Sequence, residues 1–184
     1  MEIHLIRHTA VDNPDNLCYG FAEMPLKQSY DEDFKSLDLD HDFDLVISSP
    51  SQRCCLMAEH FKFNYKTDER IREMNFGNWE LKKWTEIPEQ EINPWYKDFV
   101  SIKTPEGENL LEMQARVLNF WSELIKTQNI DKILIITHAG VIRLVIQSIL
   151  QFPLENMFNI HIDYGKKGIV KLEGEVFSIH TINV

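Results

Sequence analysis

The sequence predicts an α/β layer fold with a mostly parallel central sheet, and three observations predict it. Short apolar runs rich in β-branched residues, at positions 2–7, 43–48 and 132–137, read as buried strands. Amphipathic patterns at helical spacing separate these runs. Each run stops abruptly at polar residues: Arg7-His8, Ser49-Pro50 and His138. Strands that alternate with helices form a largely parallel sheet, and right-handed crossovers then bring the strand C-termini to one edge. Open α/β sheets bind ligands at that edge.

In chain order, the strand over residues 2–7 runs into a loop over residues 8–25, of a length often tied to function. Leu26, Tyr30, Phe34 and Leu37 recur at helical spacing. After the second strand, Ser49 suits an N-cap and Pro50 the first helical position, which predicts a helix to about residue 61. A short strand is expected over residues 63–66. Residues 79–104, with Trp79, Trp84 and Trp95 and two prolines, read as a helical cap or insertion within one domain of residues 1–184. Packing of that cap and stacking on an aromatic base are both open uses of the tryptophans. Leu111, Val117, Leu118, Trp121 and Ile125 mark a helix from about residue 108 to 128. Strand 132–137 and helix 139–150 follow, and the closing GIVKLEGEVFSIHTI alternates around Glu173-Gly174 as a β-hairpin.

A composition 43% hydrophobic and 26% charged is that of a globular chain. The net charge of -10 argues against general affinity for nucleic acid or an anionic membrane. It leaves room for a small anionic substrate held by a few local arginines. Cys18, Cys54 and Cys55 make a poor disulfide framework, and the apolar start is too short for a signal peptide. The expected setting is cytoplasmic, with reduced thiols. ILIITHAGVIRLVIQSIL carries His138 and Arg143 in its middle and reads as strand then helix, not as a membrane span. None of the seven histidines sits in HExxH or beside cysteine in a ligand-spaced cluster, so no metal or cofactor is expected. Oligomeric state is open, a homodimer included.

The predicted edge collects a distinctive chemistry. The first strand delivers Arg7 and His8, the next helix carries Arg53 in its first turn, and the third strand delivers His138 ahead of Ala139-Gly140. Free N–H groups at two helix N-termini and two guanidiniums suit a phosphate dianion. Imidazole can attack phosphorus, the surrounding cations can stabilise the transferring group, and a nearby carboxyl can protonate the leaving oxygen.

These residues resemble a known family. LIRHTAV resembles the Arg-His motif of the histidine phosphatase superfamily, SSPSQRCCLMAEHF its second-arginine helix, REMNFGNWE its acid-bearing segment and THAGVIR its second-histidine turn, in the family's order. The resemblance implies a three-layer α/β/α, phosphoglycerate mutase-like fold. It implies His8 as nucleophile, Glu73 as proton donor and then base, and Arg7, Arg53, His138 and Ala139 around the phosphoryl group. CYGFAEMPL and EGENLLEMQARV are similar to segments of α-ribazole phosphatases, which dephosphorylate α-ribazole 5′-phosphate or phosphorylated cobamide in cobalamin nucleotide-loop assembly. That likeness implies a phosphate-ester substrate contacted by Tyr19 and Gly20. The chain departs from the family's Arg-His-Gly-Glu-Thr at Thr9-Ala10-Val11, where Val11 has no hydroxyl to offer phosphate.

Overall fold

The strands read from the sequence are apolar without alternation because the sheet is covered on both faces. The computed structural model describes residues 1–37 and 39–184. Among these, β1 (Glu2–Arg7), β2 (Leu45–Ser48), β3 (Tyr65–Thr67), β4 (Lys132–Thr137), β5 (Lys167–Glu173) and β6 (Val176–Thr181) form one sheet in the order β3-β2-β4-β1-β5-β6. β1, β2, β3 and β4 are mutually parallel, and the β5–β6 hairpin adds an antiparallel edge beside β1. Along β4, Ile133 and Ile135 enter one core while Leu134 and Ile136 enter the other.

The larger core lies under α4 (Leu110–Leu124) and α5 (Ala139–Leu150), the smaller under α1 (Tyr30–Lys35) and α2 (Gln52–His60). This is the three-layer arrangement expected. The apolar run over residues 133–150 divides at His138 into β4 and α5, and no helix of the described residues is long and apolar enough to cross a membrane.

The strands expected over residues 43–48 and 63–66 are shorter or shifted, at Leu45–Ser48 and Tyr65–Thr67, and three helix boundaries also differ from the sequence reading. The α2 helix begins at Gln52 with Ser51 as its N-cap, not at Ser49-Pro50. Ser49 is still tied to the sheet, its N–H donating to the Ile136 carbonyl at 2.8 Å, and the Ser51 carbonyl accepts the first helical bonds from Cys54 and Cys55. The first helix shrinks to Tyr30–Lys35, because Leu26 pairs with Val11 as an isolated antiparallel bridge. The α4 helix starts one residue after Asn109, which forms a capping box with Glu112, and ends at Leu124.

Residues 79–104 hold a short 3₁₀ turn (Trp84–Glu86) and α3 (Glu89–Lys97). Trp79 is buried, its indole N–H donating to Glu91 at 2.8 Å, and its ring packs edge-on to Trp95. Trp95 in turn meets Trp84, Phe76 and Phe99, so the segment is held by a run of aromatic contacts.

Candidate active site

The carboxyl edge of the parallel strands assembles the residues that the sequence placed there. Register alone brings two together: Arg7 on β1 lies opposite Thr137 on β4, and the His8 N–H donates to the Thr137 carbonyl at 3.0 Å. His8 is buried, and its ring stands 5.2 Å from that of His138, centroid to centroid, at 66°. A cavity of about 310 Å³ opens at this edge, lined by Arg7, His8, Tyr19, Glu73 and Ala139 among others. Gly20, Arg53 and His138 are not on its surface. They are buried beside it and hold one another in place, Arg53 meeting both the Gly20 carbonyl and His138 Nδ1.

Hydrogen bonds fix the tautomers of both histidines. His8 Nδ1 lies 2.7 Å from the Thr9 carbonyl, which can only accept, so Nδ1 carries the proton and Nε2 the lone pair. His138 has the opposite arrangement. Its Nδ1 faces the Arg53 guanidinium, a pure donor, at 3.4 Å, so the proton sits on Nε2, which donates to Ser49 Oγ at 2.7 Å. The hydroxyl expected to cap α2 therefore orients an imidazole instead. Burial, reinforced by the Arg53 and Arg7 charges, holds His8 well below the usual 6.5. Burial, and then Arg53 and His8, do the same to His138. Both imidazoles are neutral near pH 7.

The two arginines are fixed differently. Arg7 donates from Nη1 to the Ile162 carbonyl at 2.6 Å, and its guanidinium lies 3.5 Å over the Tyr164 ring. Arg53, fully buried, donates to the carbonyls of Gly20 at 2.6 Å and Ala22 at 3.0 Å. In both residues Nε–H is buried with no acceptor among the described residues. Buried donors are rarely left so. Two of them beside a neutral imidazole mark a place for an anion.

Glu73 hangs between two segments. Its carboxylate accepts from the Met74 N–H and from the Gly140 N–H, both at 3.1 Å, and so sits at the N-terminus of α5. A Cβ on Gly140 would collide with Glu73 Oε1, so a larger residue here would push the carboxylate out of this position. The Glu73 backbone is pinned by Arg116, which donates to the carbonyls of Arg70, Arg72 and Glu73 and forms a two-bond ion pair with Glu108.

Sequence reasoning missed the residues that hold the loop. Glu80 accepts backbone N–H groups from Gly20, Phe21, Ala22 and Phe76. It thereby presents the Gly20 and Ala22 carbonyls to Arg53. The Gly20 N–H and C=O are both consumed in this way, and a Cβ there would collide with the Met74 carbonyl. Tyr164 was also missed; its hydroxyl pairs with that of Tyr19 at 2.8 Å, across the mouth beside His8. The only signal for Glu80 was its position in NWE, and for Tyr164 there was none, since it lies in an irregular segment. Val11, the motif departure, is buried and shares the bridge to Leu26, so it serves loop packing.

Comparison with known proteins finds relatives along the whole chain. The family model for the histidine phosphatase superfamily (branch 1) matches residues 3–184. The chain is similar to adenosylcobalamin/alpha-ribazole phosphatase of Escherichia coli, with 27% identity over 100% of this chain and 96% of the relative. It is also similar to phosphoserine phosphatase 1 of Hydrogenobacter thermophilus, with 21% identity over 100% of this chain and 92% of the relative. The crystal structure of the alpha-ribazole phosphatase from Shigella flexneri matches with a TM-score of 0.91 and 27% identity, covering 100% of this chain and 96% of that one.

The neutral histidines link stability to pH. Their pKa values are depressed in the fold from the usual 6.5, so below that pH the unfolded chain binds more protons than the native one. Stability of the ligand-free protein is therefore full above about pH 6.5 and falls as pH drops, by up to about 1.4 kcal/mol per pH unit for each histidine. Urea unfolding between pH 5 and pH 7.5 checks this: the double variant His8→Gln, His138→Gln should show a shallower decline than the parent.

Proposed function

Because the chain belongs to the histidine phosphatase superfamily, branch 1, as a hydrolase of that type, we propose that it hydrolyses phosphate monoesters through a phosphohistidine on His8, with α-ribazole 5′-phosphate as substrate. One observation carries the chemical part. His8 is neutral, its lone pair on Nε2, between two guanidiniums whose buried Nε–H groups have no acceptor among the described residues.

The reaction then runs in two displacements. His8 Nε2 attacks phosphorus and the ester oxygen departs. Arg7, Arg53 and the free N–H groups at the N-terminus of α5, Ala139 included, stabilise charge on the transferring group. His138, its Nδ1 loosely held by Arg53, offers a site for a proton once the dianion brings negative charge. Glu73, held at the N-terminus of α5, protonates the leaving oxygen. As a carboxylate, Glu73 next takes a proton from the water that attacks phosphohistidine. Inorganic phosphate leaves and His8 is regenerated.

Two observations support the choice of substrate. The relatives named as α-ribazole phosphatases span nearly their full lengths on this chain. The cavity lining includes Phe76, Trp84, Trp95 and Phe99, which suits a leaving group that carries an aromatic base. On this reading the 79–104 segment acts as a cap over that base.

Turnover of p-nitrophenyl phosphate should be unchanged by EDTA and abolished in His8→Ala; loss of activity in EDTA, or a His8→Ala protein at the parent rate, overturns the mechanism. In a panel with α-ribazole 5′-phosphate, 3-phosphoglycerate and O-phosphoserine, the first should be preferred; equal rates would remove the substrate assignment. A second test isolates the acid. Gly140→Ala should lower kcat by about 10²-fold, the low end of what a placed general acid contributes, with KM little changed. An unaltered kcat would show that Glu73 needs no such placement.

A further inference from the structure

The cavity lining includes one cation that the reaction above does not use. Arg143 lies one helical turn beyond Ala139 on α5, and both residues line the cavity. Its guanidinium lies 5.3 Å over the Phe158 ring, and its Nε–H donates to the Ile160 carbonyl at 2.8 Å. Burial pulls the Arg143 pKa down. The Glu73 charge opposes this from a distance, but no carboxylate of the described residues comes within 4.0 Å of Arg143, and Nε is its only nitrogen with a protein acceptor among them. A partly buried cation is normally paired, because desolvation without a partner is costly. Here the fork is held by its Nε and its stack, and the terminal nitrogens are left over. The phosphate end of the cavity already has Arg7 and His8.

We propose that Arg143 determines substrate choice by donating from its terminal nitrogens to an acceptor oxygen, hydroxyl or carboxylate, on the leaving group. This rests on the hydrolase reading above and extends it. The substrate class it defines is a phosphate monoester whose leaving group joins an apolar or aromatic body to at least one such oxygen. Guanidinium geometry matters at a site of this kind, so lysine is an incomplete substitute.

The test compares Arg143→Met and Arg143→Lys with the parent on phenyl phosphate, α-ribazole 5′-phosphate and O-phosphoserine. Phenyl phosphate offers an aromatic body with no acceptor besides its phosphate. For whichever oxygen-bearing ester the parent prefers, Arg143→Met should lose about 10- to 100-fold in kcat/KM, mostly through KM, as expected for a lost charged hydrogen bond. Arg143→Lys should recover part of it. Phenyl phosphate should change by less than about twofold in both, which also shows that the variants fold. Equal losses on all esters would place Arg143 in the phosphoryl or proton-transfer machinery and overturn the proposal, as would no loss on any. A parent inactive on every ester would reject the hydrolase reading and this one together, and is told apart by the parent alone.

Discussion

A guanidinium with no exposed surface is costly unless its donors are met, and Arg53 sits fully buried beside the cavity. The chain meets this cost with backbone. The Gly20 and Ala22 carbonyls take the two terminal nitrogens. Those carbonyls can turn inward only because Glu80 accepts the N–H groups of residues 20–22 from the other side. Arg53 in turn faces His138 Nδ1, which leaves Nε2 to donate to Ser49. A loop, two strand ends and a helix start are thus fixed around one buried charge. The same charge helps keep His8 unprotonated, the state a nucleophile requires.

In the proposed mechanism the parts around this charge divide their work between binding and proton handling. Arg7 is held from outside by Tyr164 and the Ile162 carbonyl, and Arg53 from inside. Glu73 is suspended from the first turn of α5 and from its own neighbour, with Arg116 clamping the backbone that carries it. A carboxylate and the imidazole proposed as nucleophile therefore sit on separate elements, each with its own support. The glycine at position 140 is the price of letting the carboxylate approach the helix so closely.

The layout was legible where the chemistry is local. The abrupt stops at Arg7-His8 and His138 followed directly from apolar runs ending at the sheet edge, and the sheet itself came from those runs. Ser49 misled for a physical reason. Serine before proline is a sound capping signal, but Ser49 remains bonded to β4 through Ile136, and its hydroxyl is taken by His138. Residues 8–25 read correctly as a loop, yet its order comes from Glu80, some 60 positions away, and from bridges to Leu26 and Lys83. Such pairings leave no periodic trace. Tyr164 and the Arg116–Glu108 pair were illegible on the same grounds, since they act through backbone carbonyls or ring faces brought close only by the fold.

The central claim is that a neutral His8 becomes the phosphoryl carrier. Rapid alkaline quenching of the enzyme during turnover, followed by peptide mass spectrometry, tests it most directly, because phosphohistidine survives base. One phosphoryl group should appear on the peptide containing His8, accumulate further in Glu73→Gln where hydrolysis of the intermediate is slowed, and be absent from His8→Ala. Turnover with no label on His8 in either the parent or Glu73→Gln would contradict the account and point to direct attack by water.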